Sequence, residues 1–178
     1  MGYCCVLTER KEMIILGIDP GYAIVGWGVI EYKNSKFKTL GYGSVNTPAN
    51  LSPEDRLLMV YRGISEIIEK YKPDCMAIEE LFFNTNTTTA ILVAEARGVI
   101  LLAAKHAGLI ISEYTPLQVK QAVVGYGRAE KKQVIVMVTS LLGLTSPPKP
   151  DDTADALAIA ICHAHSGCSR LSEYYNKK

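Results

Sequence analysis

Carboxylates stand where the apolar pattern of this chain stops. Asp19 closes the run in "MIILGID", Glu79 and Glu80 close "DCMAIEE", and Asp151, Asp152 and Asp155 crowd the start of "PDDTADALAIA", a small apolar stretch with a helical pattern. Each has a purely structural reading. An Asp before Pro20 and Gly21 forms turns, and acids in a first helical turn complement the macrodipole or cap free N–H groups, each for a few tenths to about one kcal/mol. That reading weakens for Asp152 and Asp155, because residues three apart share a helix face and their charges repel unless something sits between them. An acid that ends a buried strand also matches an active site at the C-terminal edge of a sheet. Strand alternation puts Glu79 and Glu80 on opposite faces, so at most one shares a site with Asp19, and parity alone leaves the choice open.

Three separate segments thus deliver acids to sheet-edge positions. If four carboxylates meet within about 4 Å, each like-charge contact costs on the order of 4 kcal/mol at an effective dielectric of 20, so protons or metals must intervene. Hard oxygen ligands favour Mg²⁺ or Mn²⁺. Two such ions serve in-line attack of water on a phosphodiester, one activating the nucleophile and the other stabilising the leaving oxygen.

The elements that must position these acids can be read from the pattern. Ile14 to Ile18 is continuously apolar, which suits a central strand covered on both faces. "AIVGWGVIEY", the polar turn "KNSK" and "FKTLGYGSVNT" complete an antiparallel meander of three strands. "SPEDRLLMVYRGISEIIEKY" predicts a helix with Ser52 at the cap, Pro53 first and Asp55 in the capping-box position. After the strand "PDCMAIEE", a helix from Thr88 to Lys105 is apolar around most of its circumference, so one face can meet the sheet and the other needs a partner. A strand "GLIISEY", a short helix "TPLQVKQAVV", the breaker "GYG", a helix in "RAEKKQVIVMVTSLLGL" with its basic end first, and the helix that opens on acid follow. The expectation is an α/β domain over 13–166, built on a mixed sheet of five strands, three antiparallel ones first, with helices on its faces. Residues 1–12 read as an extension, with Met13 able to serve as a start, and 167–178 as a fraying tail.

Composition narrows the class. The 178 residues suffice for one domain with a real core, and 48% hydrophobic with 21% charged residues is ordinary for a globular protein. With 19 Lys and Arg against 18 acids, the net charge of +1 gives no global attraction to nucleic acid, so DNA binding requires a local patch. No apolar run approaches a membrane span, and "MGYCCVLTERKE" is too short and too soon charged for a secretory signal, while its start matches a myristoylation site only loosely. Five cysteines without a framework suit a reducing compartment, so a cytoplasmic protein is expected. "CHAHSGC" argues against zinc, because His163 and His165, two apart, point to different sides of a helix.

The blocks "ILGIDPG", "MAIEELFF", "QVKQAVVGYGRAEKKQV" and "DDTADALAIAICHAH", in this order, closely resemble the RuvC family of Holliday-junction resolvases, over about Met13 to His165. The resemblance implies an RNase H-like fold, a homodimer, and four carboxylates that use Mg²⁺, two ions per site with Mn²⁺ able to substitute, to nick opposing strands of a four-way DNA junction symmetrically, leaving 5′-phosphate and 3′-hydroxyl ends. It also implies a RuvA/RuvB-type branch-migration partner. Carried onto this chain, the acids are Asp19, Glu79, Asp152 and Asp155, which selects Glu79 over Glu80. Phe82 matches the aromatic that stacks on bases near the cut, and its place just beyond a strand end, before a polar stretch, allows that role. Phe83 reads as core. Lys120 and Lys131 match the catalytic lysines that hold the scissile phosphate. Arg128 and Lys132 read as general phosphate contacts, and Gly125 and Gly127 around Tyr126 let that loop's backbone approach DNA.

Two rival classes make different demands. An actin-like or sugar-kinase phosphotransferase also ends its first strand in Asp followed by Gly, but needs a second lobe, and "GYGRAEKK" does not follow a strand as a phosphate loop should. A catalytically silent junction-binding module of the same fold would not need all four acids.

Overall fold

The computed structural model describes residues 12–81 and 87–167. Most of the expected extension and tail, and also Phe82 and Phe83, lie outside the described residues. The unbroken apolar run forms β1 (Met13–Asp19) and takes the centre of a five-stranded sheet of order β3-β2-β1-β4-β5, with Ile15, Leu16 and Ile18 fully buried. On one side, β2 (Ile24–Lys33) and β3 (Lys36–Asn46) continue as the antiparallel meander, turning through Asn34 and Ser35 at φ 51° and 62°, as two-residue hairpin turns require. On the other side, β4 (Cys75–Glu79) and β5 (Ile110–Tyr114) run parallel to β1. Parallel neighbours need crossovers, supplied by α1 (Pro53–Tyr71) and α2 (Thr87–His106). The helix α1 starts as its sequence predicts, with Ser52 Oγ accepting from the Asp55 N–H at 3.2 Å. This is the mixed, RNase H-like sheet expected, with helices on both faces.

Alternation along the strands sorts the core into two layers. Leu16, Ile18, Met76 and Ile78 face α1 and α2. Ile15, Cys75 and Ala77 face α3 (Pro116–Val124), α4 (Lys131–Leu141) and α5 (Asp151–Gly167). Ala96, Ile100, Ala103 and Ala104 bury one side of α2, while Ile91 and Leu102 are each 60% exposed on another. His163 is absorbed into the core as a hydrogen-bonded histidine, meeting Tyr114 Oη at 2.8 Å and Cys75 Sγ at 3.2 Å. Among the described residues no helix is long and apolar enough to cross a membrane.

Candidate active site

Side-chain parity determines which strand-end acids meet. Ile15, Gly17 and Asp19 share one side of β1, and that side faces α5, since a Cβ on Gly17 would stand 2.1 Å from the Ala156 carbonyl oxygen. On β4, Cys75 and Ala77 face the same layer, and hence so does Glu79. The parallel pairing sets Ile18 opposite Ile78, which makes Asp19 and Glu79 the next positions on adjacent strands. Glu80 has the other parity and is exposed. Glu79, and not Glu80, therefore shares the face of the sheet that carries Asp19.

The helix α5 reaches these strand ends because nothing holds it off the sheet. A Cβ on Gly26 would stand 2.1 Å from the Asp152 carbonyl oxygen, and Gly17 lies under Ala156 and Ala160, so helix backbone rests on strand backbone. Fully buried Thr153 donates its hydroxyl to the Gly43 carbonyl of β3 at 3.1 Å, pinning the first turn. Asp152 and Asp155 are thereby carried to the edge where β1 and β4 end.

The acids act on one another. Burial, then the charges of Glu79, Asp155 and Asp152, push the Asp19 carboxyl up to about 8. Burial and Asp155 raise Glu79 against the opposing pull of Lys131 and Lys120. Burial raises Asp155 as well, with Asp152 and Asp151 adding to it and the Lys131 hydrogen bond working the other way. A cleft of about 220 Å³ opens here, where Glu79 and Asp155 stand with Lys120 and Lys131 over an apolar wall that includes Val119 and Ile159.

Lys120 comes from α3, and Lys131 is the first residue of α4, at the helix end where a cation opposes the macrodipole. The compensation is on α5: Lys131 Nζ lies 3.0 Å from Asp155 Oδ2 and 3.6 Å from Asp151 Oδ2. Partial burial works against this ammonium, yet its bond to Asp155 and the charges of Asp155, Asp151 and Asp152 hold Lys131 above its ordinary value. Tyr126 is 46% exposed in the α3–α4 loop, its hydroxyl donating to Gln133 Oε1 at 2.8 Å. Arg128 in the same loop and Lys132 at the start of α4 are exposed and do not line the cleft.

The donor set suits a hard divalent cation: its atoms are all carboxylate oxygens, and burial, with the charges of neighbouring acids, raises Asp19, Glu79 and Asp155 alike. The tight convergence expected from the sequence is not drawn closed. Among the described residues no three His, Cys, Asp or Glu side chains are placed together so as to hold an ion, and Asp155 pairs with the Lys131 ammonium instead.

The family model described as crossover junction endodeoxyribonuclease RuvC matches residues 15–163. A protein of that name from Clostridioides difficile is 65% identical over 154 residues, covering 86% of this chain and 91% of its own length. Another, from Alkaliphilus metalliredigens, is 61% identical over 155 residues, covering 87% and 94%. Among solved structures, Thermus thermophilus RuvC in complex with Holliday junction substrate superposes with a TM-score of 0.84 at 38% identity, covering 88% of this chain and 95% of its own. The chain belongs to the RuvC family of crossover junction endodeoxyribonucleases.

Proposed function

We propose that this chain works in the cytoplasm as a Mg²⁺-dependent homodimer that resolves four-way DNA junctions by paired symmetric nicks, in recombination and repair. The observation that carries the reading is the cleft in which Glu79 and Asp155 face Lys120 and Lys131, with Asp19 electrostatically coupled to both acids. Nucleases of this family are metal-dependent, and the Thermus thermophilus relative is described with its junction substrate. In this reading Asp19, Glu79, Asp152 and Asp155 hold the metal. Two Mg²⁺ ions there, or Mn²⁺ in their place, supply an activated water and neutralise charge on the leaving oxygen.

The protein's own part is positioning and charge. Lys120 and Lys131 hold the scissile phosphate in the cleft, their charges set in place before the reaction. Tyr126, Arg128 and Lys132 contact the backbone beside it, and Phe82 stacks on a base at the crossover. A twofold axis through α2 presents two such sites to a substrate of matching symmetry, and a RuvA/RuvB-type complex delivers the junction.

The test is incubation of a labelled four-way junction and a linear duplex with the purified protein, with and without Mg²⁺. Symmetric nicks on the junction alone, dependent on metal, are expected, with junction affinity falling as salt rises because phosphate contacts release counterions. An Asp152→Asn variant that binds junctions and still cuts at the wild-type rate would overturn the reading.

A further inference from the structure

Arg97 reaches the catalytic edge from the side of the sheet opposite the cleft. It lies on α2, is 15% exposed, and donates through Nε to the main-chain carbonyl of Glu79 in a long bond of 3.5 Å. Its Nη2 forms an ion pair with Glu113 of β5. Glu113 pairs with Ile78 in the β4–β5 register, and Ile78 faces the α1–α2 layer, which explains why an arginine on α2 can meet it. The β1–β4 pairing ends at Ile18 opposite Ile78, so the Glu79 main chain lies past the last paired row on that side, and Arg97 supplies a donor there. The cations that bear on the Glu79 carboxyl are Lys131 and Lys120, so the Arg97 charge is directed to Glu113 rather than to the acid.

We propose that Arg97 is a positioning residue for Glu79: the Glu80 N–H, donating to the Tyr114 carbonyl at 2.9 Å, already ties the end of β4 to β5, and Arg97 adds a tie from the Glu79 carbonyl to α2 that fixes where the Glu79 carboxylate stands. The inference rests on the reading of Glu79 as a metal-holding acid. Anchors of this kind, behind the groups that touch an ion, typically govern metal affinity or activity by about 10–100-fold. Arg97 differs from an ordinary buried arginine in what its loss should change. A structural arginine would shift the melting temperature and leave metal affinity alone.

The experiment compares wild type with Arg97→Gln, Arg97→Lys, Glu113→Gln and Glu79→Gln. The measurements are kcat and KM for a junction, calorimetric Mn²⁺ titration of the DNA-free protein, junction affinity in Ca²⁺, and melting temperature. Arg97→Gln is expected to lower kcat about 10–100-fold and weaken Mn²⁺ binding about tenfold, with KM and Ca²⁺-junction affinity within about twofold of wild type. Arg97→Lys should recover part of both losses, and Glu113→Gln, at a half-exposed position that tolerates change, should move them in the same direction by a few-fold. Wild-type Mn²⁺ affinity and kcat in Arg97→Gln would overturn the proposal, as would a lowered melting temperature with unchanged metal binding. Junction cutting by Glu79→Gln at the wild-type rate would bring down the reading of Glu79 itself, and the role of Arg97 with it.

Discussion

The Lys131 ammonium stands 3.0 Å from the Asp155 carboxylate and 3.6 Å from that of Asp151, tying the first residue of α4 to the N-terminal part of α5. Lys131 and Asp151 each open a helix, at the positive end of its dipole, where the acid is favoured and the lysine is not. A cation placed against its local preference, with acids waiting for it, belongs to a site rather than to a surface. In the proposed reading the same ammonium would compete with a divalent metal for Asp155. Lys131→Gln should therefore strengthen Mn²⁺ binding by the DNA-free protein while slowing junction cutting about 10²–10³-fold, because charge at the scissile phosphate is lost. Calorimetry and single-turnover cleavage check the two arms, and a variant that loses metal affinity along with activity would contradict the assignment.

Asp19 leads the pH dependence of the site, with Glu79 and Asp155 raised in the same direction. Folded and metal-free, it keeps its proton to about pH 8, chiefly through burial and then through Glu79 and its neighbours, whereas an unfolded aspartate loses it near 3.9. Between these values the folded chain binds the extra proton, so metal-free stability falls as pH rises across that window and levels off above it. Asp19→Asn should then melt several degrees higher than wild type at pH 8, at about 2–4 °C per kcal/mol relieved, and nearly the same at pH 4. Mg²⁺ should raise the wild-type melting temperature at pH 8 and leave the variant almost unmoved. Equal melting of the two metal-free proteins at both pH values would refute the coupling.

Gly26 is where strand and helix backbones touch. A methyl group there would lie 2.1 Å from the Asp152 carbonyl oxygen, and the neighbour that must yield is helix backbone. Gly26→Ala should cost about 1–3 kcal/mol, the usual range for overpacking, and should lift the first turn of α5 with Asp152 on it. Cutting is expected to fall further than the loss of folded protein explains, which comparison of melting curves with cleavage at 20 °C would reveal. A stable, fully active variant would show that α5 does not depend on this contact.

Much of the fold is legible because its signals are local. The continuous run at Ile14–Ile18 marks a strand buried on both faces, Ser52 and Pro53 mark the start of α1, and Asn34–Ser35 form the turn that "KNSK" announces. The acids at strand ends are legible for the same reason. The choice between Glu79 and Glu80 is not, since parity separates the two without saying which face carries the partner helix; the Cys75 and Ala77 contacts with α5's layer supply that. The Lys131–Asp155 pair joins positions 24 apart, and their meeting depends on how α4 lies against α5. The glycines of "VGWGV", unusual inside a strand, and the arginine within the apolar "AEARGVILL", are signals of close approach and of an anchor, but their partners exist only once the sheet is assembled.

In the proposed dimer, the open face of α2 would govern the pairing of nicks. Ile91 and Leu102 are each 60% exposed, and Gly98 lies between them on the same helix face with nothing within 4 Å of where its Cβ would be. Two large apolar residues flanking a glycine allow a second helix to come close, and in a twofold dimer each residue on this face meets the same patch of the partner. Leu102→Glu places like charges near that axis and should shift the protein to monomer by sedimentation equilibrium, with the melting temperature lowered only by the lost association, because the side chain lies outside the core of the single chain. Each monomer retains one intact site, so single nicks persist while their coordination is lost. On a supercoiled plasmid that extrudes a cruciform, wild type should give linear product and Leu102→Glu nicked circles. Linear product at the wild-type rate from a demonstrably monomeric variant would sever the paired cuts from this face.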